Sequence, residues 1–268
     1  MGIRRMPAAV CALAVLLVTP ATAAPAESAS HREIYDVSLE RTSGYLRTAH
    51  GRTVVETREA CGGTSTLQRS LADVTYETGE AIRTDFISRT WESRDGRTLR
   101  FDVANTQSGA VAEKHAGVAT LAANGVGRVI FTSTDKPLAL PPGTMFPDAF
   151  SRALLAAAAK GQDVESLPVF QGGGRSALVT TAVRIGRRVA NPRETAKDPD
   201  GLLKGIAAWP ILMSYFPDRT ELPAAEVATH LYANGLLGSL SFVYPQYTLR
   251  ARLVRVERLG SAPNCAKP

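Results

Sequence analysis

The residue types that could do chemistry are few and scattered. Four histidines, His31, His50, His115 and His230, are framed by no Asp or Glu pair at ligand spacing, and no His-Glu-x-x-His is present. No Gly-x-Ser-x-Gly elbow presents a serine nucleophile. Glu56, Glu59, Glu77 and Glu80 could pair to cleave a glycoside or peptidoglycan bond, yet their spacing equally suits solvent-facing strand positions. Asp198, Asp200 and Gly201 faintly suggest a cation loop, which Pro199 and the missing twelfth-position carboxylate turn into an ordinary turn. Gly172-Gly173-Gly174 precedes a predicted strand rather than a helix, so it reads as a turn and not a phosphate cradle. Trp91 and Trp209 are pocket candidates, although tryptophan serves a core as well. No catalytic residue, metal ligand or cofactor is predicted.

The elements that would position such residues begin after residue 23. Arg4 and Arg5 precede an apolar run from Ala8 to Val18, and Ala21 and Ala23 satisfy the small-residue rule for a signal peptidase. This predicts a cleavable Sec-type leader over residues 1–23, cut after Ala23 or Ala24, and a periplasmic chain over 24–268. The apolar run is too short to span a bilayer, and no other stretch reaches the roughly 18–20 apolar residues needed. Loss of Arg4 and Arg5 lowers the basic count from 31 to 29 against 25 acidic residues, a net charge of +4. The remaining basic residues are dispersed without stacking aromatics, which argues against nucleic acid.

Cys11 leaves with the leader, so Cys61 and Cys265 remain. In an oxidising compartment these two predict one disulfide, clasping the early chain to the tail. A catalytic thiol pair is the alternative, without Cys-x-x-Cys spacing to support it. The closed loop of roughly 200 residues is worth about 5 kcal/mol by chain entropy.

Within the exported part, period-two alternation dominates. Tyr35, Val37 and Leu39 point one way, and Asp36, Ser38 and Glu40 the other. Strands are predicted from Tyr45 to Ala49, then, after a turn at Gly51, from Thr53 to Arg58. Further strands follow at 73–78, 81–93, 97–105, 111–121 and 125–133, with hairpin turns at Arg94-Asp95-Gly96 and Asn124-Gly125. Residues 136–143 carry three prolines and are predicted irregular. Pro147 opens, and Gly161 closes, a helix over 147–160 with Phe150 and Leu154 on its apolar stripe. Strands return at 164–171, 175–189, 205–216, 226–233, 236–244 and 246–259, with an exposed connection over 191–201. The fold predicted is mainly β: one rolled antiparallel sheet, spiral or barrel-like, with one prominent helix, in a single domain.

Several short motifs, in order, carry a resemblance. They are Tyr35-Asp36-Val37-Ser38-Leu39, Cys61 followed by Thr64 and Gln68-Arg69, and Thr144-Met145-Phe146-Pro147 entering the helix. Val169-Phe170-Gln171-Gly172-Gly173, Ile185-Gly186, Trp209-Pro210-Ile211 and Asn234-Gly235 follow, then Glu257 and the tail Cys265. Over nearly the whole exported chain the sequence resembles alphaproteobacterial cell-envelope integrity proteins of the EipB type. That resemblance implies a periplasmic β-spiral wound about a helix, a Cys61–Cys265 disulfide, a role in envelope integrity and no assigned enzymatic activity. A rolled sheet with a helix in its mouth would expose an apolar concave face, with Phe150 and Leu154 on the helix lid and Trp91 and Trp209 as pocket candidates. The expectation is a monomeric, non-enzymatic protein holding a lipid, a lipoprotein segment or a periplasmic protein partner on that face. The alternatives are a hydrolase acting on peptidoglycan or another envelope polymer, and a structural module docking another protein through a sheet edge.

Overall fold

The computed structural model describes residues 30–132, 136–217 and 220–260. The first strands are β1 (His31–Thr42), β2 (Leu46–Ala60), β3 (Gly63–Tyr76), β4 (Ala81–Ser93) and β5 (Thr98–Gln107). Then come β6 (Ala110–Leu121), β7 (Gly127–Phe131), β8 (Leu138–Leu140), the helix α1 (Pro147–Lys160) and β9 (Val164–Phe170). The chain ends with β10 (Leu178–Ile185), β11 (Ala208–Phe216), β12 (Ala225–Tyr232), β13 (Leu240–Val243) and β14 (Tyr247–Arg258). All fourteen belong to one sheet, ordered from β8 down to β1 and then from β14 down to β9. Two antiparallel meanders are thus joined where β1 pairs with β14. The sheet rolls until its edges nearly meet: Met145 bridges to Val169, donating its N–H to the Pro168 carbonyl and accepting from the Phe170 N–H, each at 3.0 Å. This is the rolled antiparallel sheet with one helix that the alternation predicts.

Rolling requires sharp curvature, and Gly51 supplies some of it. A Cβ there would lie 2.3 Å from the Leu71 carbonyl oxygen, so β2 passes β3 at a distance that only glycine allows. The expected turn at Gly51 is therefore corrected: β2 runs unbroken through it, paired with β1 on one side and β3 on the other. Residues 136–143 are likewise not wholly irregular. Pro137 and Pro141 flank Leu138–Leu140 rather than interrupt it, and those three residues pair with β7. The connection after β10, expected to be exposed, folds back onto the sheet. Leu202 and Leu203 just beyond it are buried, and Lys197 exchanges backbone bonds of 2.9 Å with Val254 and Val256.

Helix α1 occupies the predicted span. Pro147 sits at its first turn, and Gly161, at φ 67°, closes it in the left-handed region. Phe150, Leu154 and Ala158 fall on one stripe and pack against Val169, Val183, Ile211, Met213, Val227 and Leu231 of β9–β12. Three clusters of buried apolar side chains line the inner face of the sheet. The first spans β5–β8 and includes Leu99, Phe101, Val129 and Phe146. The second is the one under α1. The third joins β14 to β1 through Tyr35, Ala251, Leu253 and Val256, beneath Leu202 and Leu203.

Candidate functional site

The inner face of β2–β4 stands between these clusters and contributes to them only through Val55, which packs against the one that joins β14 to β1. The registers place its side chains level by level. Thr53 faces Ser70, Phe86 and Asn105; the next level holds Val55, Gln68 and Ser88; the next holds Thr57, Thr66 and Thr90. These side chains are half-buried and uncharged, most of them hydroxyls or amides, with Val55 and Phe86 among them. Thr53 and Ser70 share a hydrogen bond of 2.9 Å, and the Asn105 Oδ1 is buried without a partner. On the outer face of the same strands the charged residues pair across the ladder: Arg52 with Asp36, Arg69 with Asp85, Arg83 with Asp73. Arg89 approaches Asp102 at 3.6 Å. The alternation thus sends ion pairs outward and neutral hydroxyls and amides inward, so the concave face expected to be apolar is divided. It is largely apolar over β5–β14, carries buried His31 and Glu33 beside Tyr35 on β1, and over β2–β4 mixes neutral hydroxyls and amides with Val55 and Phe86.

Helix α1 closes one end of this surface. Glu92, on the inner face of β4, is buried and accepts the N–H groups of Asp148 and Ala149 at 2.7 and 2.8 Å. A carboxylate at a helix N-terminus satisfies donors that have no partner within the helix. Burial nevertheless pushes the Glu92 carboxyl up to about 7, against the pull of those two N–H groups. Thr64 donates to Asp148 Oδ2 at 3.1 Å, and Arg152 pairs with Asp148 on the helix. The helix therefore spans the interior, its apolar stripe on β9–β12 and its N-terminus fastened to β3 and β4.

Tyrosines ring the other end. Tyr76 closes β3, Tyr45 lies in the β1–β2 turn, and Tyr244 and Tyr247 flank the β13–β14 turn. Tyr45 stacks on Tyr247 with ring centroids 5.9 Å apart and 9° between planes, and meets Tyr76 edge-on at 5.4 Å. Tyr244 lies 4.7 Å from Tyr247. Burial, reinforced by Tyr244, Tyr45 and Tyr76, pushes the Tyr247 hydroxyl up to about 12, and burial raises that of Tyr244 as well. Tyr45 is 48% exposed, so its ring is open to solvent at this rim.

Comparison with known proteins places this architecture. The profile of the EipB-like proteins matches residues 22–260. The chain belongs to the EipB-like family. It is 28% identical over 248 residues to the cell envelope integrity protein EipB of Brucella abortus (strain 2308), covering 88% of each chain. It is also similar to a crystal structure from Brucella abortus, described as a beta-barrel-like protein of a domain of unknown function. There the TM-score is 0.79 at 26% identity, with 88% of this chain and all of that one covered.

In this EipB-like chain the other sequence candidates are scattered. Trp91 lies on the outer face of β4, with the Arg100 guanidinium 5.2 Å from its ring; Trp209 packs beside the cluster under α1. The structure does not bring them together, and Phe150 and Leu154 are core contacts of the helix. Glu56 is bound by Arg32 at 2.6 Å, and those hydrogen bonds hold its carboxyl below the usual range. Glu59 pairs with Arg94, while Glu77 sits near Arg47 at the opposite end of the β2–β3 hairpin. Asp198 accepts the N–H groups of Leu202 and Leu203 at 2.7 and 2.8 Å, and Asp200 accepts that of Arg258. Both carboxylates therefore cap backbone. His31 and Glu33 lie 3.9 Å apart with side chains 7% and 8% exposed, in contact with core. Among the described residues no helix is long and apolar enough to cross a membrane. The predicted leader, residues 1–23, and Cys265 lie outside the described residues; Cys61 occupies the β2–β3 turn.

Sequence reasoning missed the hydroxyl-lined face and Glu92. The first carried a signal in the Thr and Ser residues alternating with charges from Arg52 to Ser70. A polar–polar alternation gives a strand without saying which face turns inward. Glu92 had no local signal, because the amides it binds are 56 and 57 residues away.

Proposed function

We propose that this chain is an exported, non-enzymatic binding protein that supports the integrity of the cell envelope. It would do so by holding a ligand or partner against the neutral-polar inner face of β2–β4. The observation that carries this reading is the break in the core: three apolar clusters lie elsewhere on the inner face, while β2–β4 leave half-buried hydroxyls and amides facing inward. Similarity to the envelope integrity protein of Brucella abortus supports an envelope role for the chain. The reading includes a Sec leader removed after Ala23 or Ala24, a single monomeric periplasmic domain over 24–268, and a Cys61–Cys265 disulfide.

A hydrolase needs an acid and a base or nucleophile converging on accessible space, and Glu56, Glu59 and Glu77 are paired with arginine while Asp198 and Asp200 are bound to backbone amides. Docking through a sheet edge has little room, since Met145 already bonds β9 across Pro168–Phe170. Two measurements test the proposal. Deleting the gene should sensitise cells to detergent and to large antibiotics, with rescue by an exported copy but not by one lacking residues 1–23. Native mass spectrometry of protein taken from periplasm should show a bound species; a bare chain from cells of every growth condition would overturn the binding role.

A further inference from the structure

We infer that the ligand of this inner face is a neutral oligosaccharide, entering past the tyrosine rim and lying along the hydroxyls of β2–β4. The inference rests on the binding role proposed above and names its ligand class.

Two independent features converge on it. The first is hydrogen-bonding capacity held open. Among the described residues, Thr57, Thr66, Gln68, Ser88 and Thr90 are half-buried, and none uses its side chain in a hydrogen bond within the protein. The Asn105 Oδ1 beside them is buried without a partner. Leaving such groups unmatched costs about 1–3 kcal/mol each when water is excluded, so a ligand rich in hydroxyls gains by matching them. A fatty acyl chain would instead strip water from them and return no hydrogen bond. The registers stack three such levels along β2–β4, an extended track suited to consecutive sugar units. At these three levels the arginines and aspartates of the same strands project from the other face, so no charge of β2–β4 stands there to pair with a charged ligand.

The second feature is the rim. The C–H face of a sugar ring is apolar and lies well against an aromatic ring, while its hydroxyls reach outward to polar groups. Tyr45 offers an open face, held in place by its stack on Tyr247. Tyr76 lies on the same inner face of β3 as Ser70, with Ala72 and Val74 between them, so the platform and the track share one face of the sheet. A peptide is the weaker fit. The strands forming the track have both backbone edges paired within the sheet, so a peptide backbone finds no ladder to join.

The test uses the exported chain, residues 24–268, with calorimetry against chitotetraose and maltotetraose. A tetragalacturonate, a fluorescent fatty acid and an uncharged Ser/Thr-containing peptide serve as competitors. Binding of a neutral tetrasaccharide is expected, weakened about tenfold or more by Thr66→Val with Thr90→Val, which removes two hydroxyls at one level. Tyr45→Ala should weaken it similarly; this residue is half exposed, so its loss leaves the fold intact, and a thermal melt checks that for both variants. Arg89→Ala on the outer face should leave affinity unchanged. Binding of fatty acid or peptide, lost in Thr66→Val with Thr90→Val while neither neutral sugar binds, would overturn the oligosaccharide and keep the binding role. Binding of a sugar that neither inner-face variant alters would overturn the assigned track. No binding by any probe, together with a bare chain from periplasm, would overturn both.

Discussion

At Glu92 two effects oppose each other. Desolvation favours the neutral acid, while the N–H groups of Asp148 and Ala149 favour the carboxylate, and desolvation is the larger. The folded carboxyl titrates at about 7 against an ordinary value of 4.5. Between those values the folded chain keeps a proton that the unfolded chain has released, so stability falls as pH rises from about 4.5 to about 7 and is level above that. Burial raises the Glu33 carboxyl in the same direction, so the effect of Glu92 is isolated only by comparison. In Glu92→Gln the titration is gone. Its stability relative to wild type should rise by on the order of 2–3 kcal/mol between pH 4.5 and 7. Urea midpoints measured across pH 4.5–8 read this directly, and parallel curves for the two proteins would show that the acid is not proton-linked to folding.

Among the elements, α1 and the β2–β3 hairpin test different parts of the fold. Leu154 is 3% exposed and turned toward β9–β12, so Leu154→Ala should cost about 2–5 kcal/mol in chemical denaturation. A loss below 1 kcal/mol would mean that the helix is not seated on that wall. Gly51→Ala adds a Cβ where the Leu71 carbonyl already stands; forcing the strands apart should cost about 1–3 kcal/mol. The two elements were not equally legible in the sequence. Pro147, Gly161 and the spacing of Phe150 and Leu154 announce the helix, because caps and a 3.6-residue stripe are local. The glycine at 51 reads locally as a turn, and only the approach of β3 shows that it coils a continuous strand. For the same reason most strands were found, but not residues 63–72 of β3, the short β8 or the inward face of β2–β4. Deciding between two polar faces needs the neighbours at Ala72, Ser70 and Gln68, which are folded against them from up to 21 residues away.

For the molecule as a whole, the decisive contact is the one sequence order hides most, the pairing of β1 with β14. It brings the chain ends together: Leu259 donates its N–H to the Ser30 carbonyl at 2.8 Å, and the Ser30 hydroxyl accepts from Glu59 at 3.0 Å. Glu59 stands two residues before Cys61. The described chain thus reaches residue 260 beside the hairpin that carries Cys61, and five further residues extend at most about 17 Å, enough to bring Cys265 to it. That supports the proposed clasp, whose stabilisation comes mainly from restricting the unfolded chain. Protein purified from periplasm should accordingly show no free thiol until it is reduced, and gain about 2 Da on reduction as one S–S bond becomes two S–H groups. Cys265→Ser should lower stability by about 2–5 kcal/mol with the β-sheet circular dichroism unchanged, since the pairing of β1 with β14 does not depend on the tail. Reduction should then add no further loss to the variant. A variant as stable as wild type, or titratable thiols in the native oxidised protein, would remove the clasp and leave the sheet to hold the ends alone.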